Sequence, residues 1–159
     1  MASRPALVWF RNDLRISDNP ALHAAEKSGA PVIALYVLEE VKSLRTQGAA
    51  WSWWLAGSLR NLSDKLAKLG VSLVLRRGDP RKIIPEIARE TGFCTAYWNR
   101  RYVAAEAQLD TEIEQYLLAN DCSVETFNAA LLNEPWSIES KTGGPIRVFT
   151  PYFKATQER

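Results

Sequence analysis

The sequence predicts an α/β fold, a three-layer sandwich around a five-stranded parallel sheet. Five short apolar runs alternate with segments of helical periodicity, which is typical of strand–helix–strand units. One of these runs, PVIALYVL, shows little alternation of polar and apolar residues, as expected of a strand that helices cover on both faces. Right-handed crossovers then leave few topologies, and we expect the Rossmann-like strand order 3-2-1-4-5.

The predicted strands are apolar runs bounded by turn residues or charges. In chain order they are Ala6–Phe10, Pro31–Leu38, Val71–Leu75, Cys94–Trp98 and Ser123–Phe127. Each of the first four is followed by a helical pattern.

The helix boundaries are marked by capping residues and prolines. Asp18 or Asn19 can cap a first helix that begins near Pro20, and Asp79 can cap a third before Pro80. The second helix has one apolar face, at steps of three and four, formed by Trp51, Leu55, Leu59, Leu62, Leu66 and Leu69. A fourth helix carries Leu109, Ile113, Tyr116 and Leu117.

The chosen strand order places two charged loops beside one crevice. They are the loops Arg11–Asn19, after the first strand, and Asn99–Glu106, after the fourth. Open α/β sheets bind ligands at the carboxyl ends of their strands, where the strand order reverses. We therefore expect the functional site there.

Composition limits the classes of function. With 20 basic and 18 acidic residues, the net charge of +2 does not by itself argue for nucleic-acid binding. No apolar stretch approaches the roughly 20 residues of a membrane span, and the MASRPA start lacks an apolar signal region, so we expect no membrane association and a cytoplasmic location. Cys94 and Cys122 suit free thiols in a reducing compartment, and the sequence leaves a disulfide open.

The pattern fades after residue 127. Residues 1–130 are expected to form the α/β domain, and residues 131–159 to begin a linker to a further domain. That last segment contains turn signals and one short apolar piece, RVFTPY, in otherwise irregular chain.

Standard catalytic and metal motifs are absent from the sequence. There is no glycine-rich phosphate loop, and the single histidine, His23, has no cluster of partners that would make it a metal ligand or a catalytic base. We expect no catalytic residue and no metal ligand in this chain.

The charged loops have two interpretations. Arg11 and Asp13, with Arg15 and Asp18, either form an ion-pair network that shapes the first loop or line a polar wall for an anionic or heteroaromatic ligand. Likewise Trp51 fits the core, while Trp53 and Trp54 point elsewhere, towards a flat chromophore or a partner domain.

Five segments, in matching order and spacing, resemble one family. WFRNDLRISDNPAL resembles the pattern W-F-R-x-D-L-R-x-x-D-N-x-A-L, which opens the DNA photolyase and cryptochrome family. The other four segments are GAAWSWWLAGSLRNL, RRGDPRKIIPEI, YWNRRYVAAEAQLD and VFTPYFKA. The chain resembles most closely the amino-terminal antenna domain of class I cyclobutane pyrimidine dimer photolyases.

The resemblance implies a function for the whole protein. A carboxyl-terminal helical domain, absent from this chain, would bind FAD and UV-damaged DNA and would split pyrimidine dimers by light-driven electron transfer, so we expect no repair by this chain alone. Two alternatives remain, the same domain of a cryptochrome photoreceptor and a free-standing nucleotide-binding α/β domain. We expect a monomer whose partners are its own FAD domain and, through it, DNA.

The resemblance also implies an antenna chromophore. The candidates are 5,10-methenyltetrahydrofolate, then 8-hydroxy-5-deazaflavin, or none. Glu106 matches the glutamate of a folate-binding Asn-Glu pair, although Ala105 replaces the asparagine, and Arg101 and Leu109 stand where deazaflavin-type members have contact residues. The expected cofactor-binding residues are Glu106, Arg11, Asp13, Glu39, Asn99 and Arg101.

Overall fold

The computed structural model describes residues 4–140 and 143–158. The described chain forms two compact units, one ending at Ala129 and the other beginning at Ala130. In the described ranges, no helix is both long and apolar enough to cross a bilayer.

Strands and helices alternate along the first unit. In chain order they are β1 (Ala6–Phe10), α1 (Pro20–Lys27), β2 (Val32–Glu39), α2 (Ala49–Ala67), β3 (Leu73–Gly78), α3 (Pro80–Thr91), β4 (Thr95–Asn99), α4 (Ala104–Leu118) and β5 (Ser123–Phe127). The second unit contains α5 (Phe149–Gln157).

The five strands form one parallel sheet in the order β3-β2-β1-β4-β5, which confirms the predicted fold class and topology. The central strand is β1, where Val8 lies between Ala34 of β2 and Tyr97 of β4. All five residues of β1 are buried. Burial on both faces explains why its sequence is an uninterrupted apolar run.

Helices cover both faces of the sheet. On one face Leu7 and Trp9 of β1 pack with α3 and α4, and on the other Val8 and Phe10 pack with α1 and α2. The alternation of side chains along a strand sends neighbouring residues to opposite layers. The result is the predicted three-layer sandwich.

The capping predictions hold at the first and third helices. Asn19, rather than Asp18, caps α1, and its side chain accepts a hydrogen bond from the Leu22 amide at 3.2 Å. Asp79 caps α3 through the Arg81 amide at 3.0 Å. That helix ends at Gly92, whose φ of +66° is the left-handed conformation that favours glycine.

The position of β3 differs from the sequence prediction. The apolar run predicts Val71–Leu75, but the strand spans Leu73–Gly78, and its pairing with β2 continues to Glu39 beside Gly78. Because β3 is an edge strand, Arg76 and Arg77 can project into solvent while their backbone pairs. An apolar pattern cannot reveal that part of a strand.

Two predictions about helices were wrong. Leu69 was expected on the core face of α2, but the helix ends at Ala67 and the side chain is exposed. Residues 131–159 were expected to be irregular apart from the short apolar piece RVFTPY, yet a helix, α5, begins within that piece at Phe149. This helix has no buried residue, although Phe149, Tyr152 and Phe153 recur at helical spacing; Phe149 and Phe153 stack on each other with centroids 5.7 Å apart.

Candidate functional site

A cleft of about 580 Å³ opens at the carboxyl ends of β1 and β2. Its wall includes the end of β2, the connection that leads into α2, and two side chains from the segment after β4, Arg101 and Glu106. Tyr36 and Trp51 contribute aromatic surface, and Arg11 contributes a guanidinium group. The cleft lies at the carboxyl edge of the sheet, as expected for parallel strands, but towards β2 and the β2–α2 connection rather than at the reversal between β1 and β4.

Arg11 is the most buried charged residue of this site, with only 5% of its surface exposed. One amino group, Nη2, donates to the Asn99 carbonyl oxygen and lies 3.5 Å from Asp110 Oδ2. The guanidinium carbon lies 4.3 Å from the centre of the Trp9 ring, a cation–π distance. Burial lowers the pKa of Arg11, and the charge of Asp110 opposes that effect.

The remaining donors of Arg11 have no hydrogen-bond partner among the described residues. They are Nε and Nη1. Buried polar groups are usually paired, and leaving one unpaired is costly. Two unpaired donors on a residue that lines a cleft are consistent with a ligand that supplies hydrogen-bond acceptors.

Arg101 joins the end of β2 to α4. Its Nη1 donates to Glu39 Oε2 at 2.8 Å, and its Nη2 donates to Asp110 Oδ1 at 2.5 Å. Burial would lower the pKa of Arg101, but the hydrogen bond and charge of Asp110, together with Glu39, outweigh it and raise the pKa. Arg11 and Arg101 thus balance the charges of Glu39 and Asp110 beside the cleft.

Glu39 has one paired and one unpaired oxygen. Oε2 accepts from Arg101, while Oε1 is buried and has no partner within the described chain. Burial raises the pKa of Glu39 more than Arg101 lowers it. Burial and the charge of Glu39 in turn raise the pKa of Tyr36 to about 12, so the Tyr36 hydroxyl remains protonated near neutral pH.

The cleft offers a flat ligand both aromatic surface and a polar edge. Arg11 has two buried donors and Glu39 one buried acceptor that no described residue pairs, and Tyr36 and Trp51 supply apolar area to the wall. A heteroaromatic ring with amide-type carbonyl and N–H groups carries the complementary atoms. Glu106, in the first turn of α4, adds a third carboxylate to Glu39 and Glu40 of the wall.

Asp13 and Asn99 lie in a neighbouring network rather than in the cleft wall. Asn99 Nδ2 donates to Asp13 Oδ2 at 2.5 Å and to Asn19 Oδ1 at 2.8 Å, and its Oδ1 accepts from the Ala21 amide at 3.2 Å. Asp13 Oδ1 accepts from the Arg11 amide at 2.7 Å. These contacts fasten the loop after β1 to β4 and to the start of α1.

The structure therefore divides the six predicted residues into two groups. Arg11, Glu39, Arg101 and Glu106 line the cleft, while Asp13 and Asn99 support the loop beside it. In the first loop, Arg11 lines the cleft, whereas Arg15 and Asp18 form a more exposed pair at 3.7 Å. The ligand-binding interpretation of this loop stays a prediction.

The sequence analysis missed Asp110, which contacts both buried arginines. A signal was present, because Asp110 follows Glu106 by one helical turn and ends the motif YWNRRYVAAEAQLD.

The three tryptophans of α2 and the single histidine also have definite positions in the structure. Trp51 is half-buried and lines the cleft. Trp53 and Trp54 are exposed, at 79% and 69%, on another face of α2. His23 is a surface residue of α1 whose Nδ1 lies 3.5 Å from Glu26.

Comparison with known proteins identifies the family. The DNA photolyase family profile matches residues 6–159, so the chain belongs to this family. It is 43% identical over 157 residues to the deoxyribodipyrimidine photo-lyase of Agrobacterium fabrum and 36% identical over 151 residues to cryptochrome-1 of Arabidopsis thaliana. These matches cover 99% and 94% of this chain.

A solved structure supports the same assignment. The crystal structure of a class III photolyase from Agrobacterium tumefaciens matches all of this chain with a TM-score of 0.92 and 42% identity, and the match covers 33% of that protein. The chain likewise spans 32% of the Agrobacterium fabrum relative and 22% of the Arabidopsis relative. It thus corresponds to about a third of a photolyase. The assignment of this chain to the class I photolyases stays a prediction.

Proposed function

We propose that this chain is the light-harvesting amino-terminal domain of a deoxyribodipyrimidine photolyase. The supporting observation is the 43% identity to a photo-lyase across nearly the whole chain. In the whole protein, a helical domain beyond residues 131–159 would hold FAD and flip a cyclobutane pyrimidine dimer out of UV-damaged DNA. FAD would supply the electron that splits the dimer.

This chain's own role in that scheme is to hold an antenna chromophore in the cleft. Arg11 Nε and Nη1 would donate to ring acceptors, Glu39 Oε1 would accept from a ring N–H, and Trp51 would cover the apolar area. A bound chromophore supplies absorbed light energy to FAD.

Glu106 and Arg101 would complete the wall around this chromophore. Asp13 and Asn99 would act indirectly, since their hydrogen bonds hold the loop that carries Arg11. We favour 5,10-methenyltetrahydrofolate because Glu106 matches the folate-contacting glutamate of similar domains. 8-Hydroxy-5-deazaflavin is second, because a deazaflavin also presents an amide-type edge to Arg11 and Glu39.

The repair activity can be tested with the full-length protein. We expect purified protein with FAD to restore thymine-dimer-containing DNA under near-ultraviolet or blue light and to leave it unrepaired in the dark. Dimers that persist after illumination of FAD-loaded protein would contradict the proposal.

A cryptochrome photoreceptor is the second candidate, supported by the 36% identity to cryptochrome-1 of Arabidopsis thaliana. It predicts a light-dependent change in flavin absorbance without dimer repair, so the same assay separates the two. A free-standing nucleotide-binding domain instead predicts that ATP raises the unfolding temperature of this chain. We expect no such shift, because the sequence has no glycine-rich phosphate loop.

We further infer that the protein acts as a monomer in the cytoplasm, with its own FAD domain as the main partner of this chain. The near balance of charge, 20 basic against 18 acidic residues, supports a DNA contact made through that other domain rather than through this one.

A further inference from the structure

Cys94 and Cys122 lie side by side at the amino ends of two neighbouring strands. Cys94 directly precedes β4 and Cys122 directly precedes β5. The first register pair of these parallel strands is Thr95 with Ser123, so the preceding pair is Cys94 with Cys122. The Ser123 amide donates to the Cys94 carbonyl at 2.7 Å, which extends the parallel pattern to the two cysteines.

The register of these strands meets one requirement of a disulfide, the spacing of the two Cα atoms. Residues in register on neighbouring strands are about 4.8 Å apart, within the range of about 4.4 to 6.8 Å between the Cα atoms of bonded cysteines. Cys122 packs in the layer that faces α3 and α4, and Cys94 has the same parity as Ala96 of that layer, while its own Sγ lies 3.9 Å from Thr95 Oγ1. The two Cβ atoms are therefore expected on the same side of the sheet.

Both thiols are partly accessible, and both are free. Burial raises the pKa of Cys122, and the charge of the Cys94 thiolate raises it further, as expected of two sulfur atoms that lie close together. The pair sits at the amino edge of the sheet, whereas the cleft sits at the carboxyl edge. The proximity of Cys94 and Cys122 is therefore not explained by a role in holding the chromophore.

We propose that Cys94 and Cys122 form a reversible dithiol–disulfide pair. Hydrogen peroxide oxidises one thiol to a sulfenic acid and is itself reduced to water. The sulfur of the second thiol then attacks the sulfenic sulfur, a disulfide bond forms, and the hydroxyl group leaves as water after taking up the thiol proton. A small-molecule dithiol or a cellular thiol reductant restores both thiols.

Oxidation would connect β4 and β5 covalently around α4. The closed loop runs from Cys94 to Cys122 and contains the helix that carries Glu106 and Asp110. Such a crosslink reduces the entropy of the unfolded chain, so the oxidised form should unfold at a temperature roughly 5 to 10 °C higher.

The test uses the full-length protein, reduced, freed of reductant and treated with hydrogen peroxide at low protein concentration. We expect peptide mapping to find a dithiothreitol-sensitive link between the peptides containing Cys94 and Cys122 within one molecule. Stable separate sulfinic acids, or links formed only between molecules, would overturn the proposal.

Two single variants provide the matched control. Cys94→Ser and Cys122→Ser should each abolish the link and leave a sulfenic acid that dimedone traps on the remaining cysteine. Because serine is nearly isosteric, the reduced variants should keep the unfolding temperature of the reduced parent. An unfolding temperature of the linked wild type that is not raised would show that the folded chain does not accommodate the bond.

Discussion

Arg101 and Asp110 form a two-point ion pair, with Nη2 2.5 Å from Oδ1 and Nε 3.3 Å from Oδ2. Both side chains are largely buried, at 7% and 11% exposure. The pair fixes the plane of the guanidinium group, whose third nitrogen reaches Glu39. Asp110 therefore holds a cleft residue in place without lining the cleft itself.

Replacing Asp110 with asparagine should destabilise the fold. Asp110→Asn leaves Arg101 paired with Glu39 alone and removes the carboxylate that lies 3.5 Å from the buried Arg11. Breaking a buried pair from one side costs roughly 3 to 5 kcal/mol. We expect a loss of that order in the free energy of unfolding, measured by urea denaturation.

The control for this change lies on the same helix. Glu112→Gln removes an exposed carboxylate that pairs with Arg81, and exposed pairs add little to stability. We expect a loss far smaller than that of Asp110→Asn. Equal losses for the two variants would show that the buried position of Asp110 is not what matters.

The central part of the fold follows from the sequence, whereas its edges do not. β1 is buried on both faces, so its five apolar residues alone identify it. β3 is half solvent-exposed, and its end at Gly78 depends on pairing with β2. Asp110 was missed because a single carboxylate on a helix is usually solvated, and only tertiary packing brings two arginines to it.

The candidate site was predictable in position but not in detail. The charged loops after β1 and β4 indicated the edge of the sheet at which the cleft lies, since ligand sites in such folds gather there. Which side chains enter the cleft depends on rotamers and on neighbours far apart in sequence. Asp13, for example, turns to the Arg11 amide and to Asn99 instead.

Asn19 should contribute more stability than an ordinary helix cap. It is buried, accepts from Leu22 and Asn99, and donates to the Arg15 carbonyl at 3.0 Å. Asn19→Ala removes these bonds together, so we expect a loss of about 2 to 3 kcal/mol in the free energy of unfolding. Thermal or urea denaturation measures it.

The other capped helix gives the comparison. Asp79 also precedes a proline and caps α3, but its side chain is partly exposed. Asp79→Ala should cost about 1 kcal/mol, as typical caps do. An Asn19→Ala loss no larger than this would mean that the bonds to Asn99 and Arg15 add nothing.

Glu39 should make the folded chain less stable as the pH rises, which is the reverse of the usual effect of a carboxylate. Its pKa is raised above the ordinary 4.5, mainly by burial, so in the range above 4.5 the folded chain binds this proton more tightly than the unfolded chain does. Stability from this group therefore falls as pH rises through its folded pKa. Relative to Glu39→Gln, the wild type should lose stability between about pH 4.5 and neutrality.

The contribution of Glu112 to stability should depend on pH in the direction opposite to that of Glu39. Hydrogen bonds from Gln108 and Arg81 lower its pKa, so its contribution is present above the unfolded pKa and is lost as pH falls through the folded pKa. Urea denaturation of Glu39→Gln, Glu112→Gln and the wild type across this range measures both trends. Parallel curves for Glu39→Gln and the wild type would contradict the raised pKa.

Glu106 should determine how firmly a folate chromophore is held. Its carboxylate lines the cleft at the first turn of α4 and can accept from the amide or amino groups of a pterin ring. Glu106→Gln keeps the shape of the side chain but removes its negative charge. Since a hydrogen bond to a charged group contributes about 1.5 to 3 kcal/mol, we expect binding about tenfold weaker or more.

The measurement is near-ultraviolet absorbance of the full-length protein after incubation with 5,10-methenyltetrahydrofolate and desalting. Glu112→Gln, on the same helix but outside the cleft, should retain as much chromophore as the wild type. If Glu106→Gln also retained the wild-type amount, Glu106 would have no part in binding. If the wild type itself retained none, the cleft would not be a folate site, and titration with 8-hydroxy-5-deazaflavin would test the second candidate against the same Arg11 and Glu39 edge.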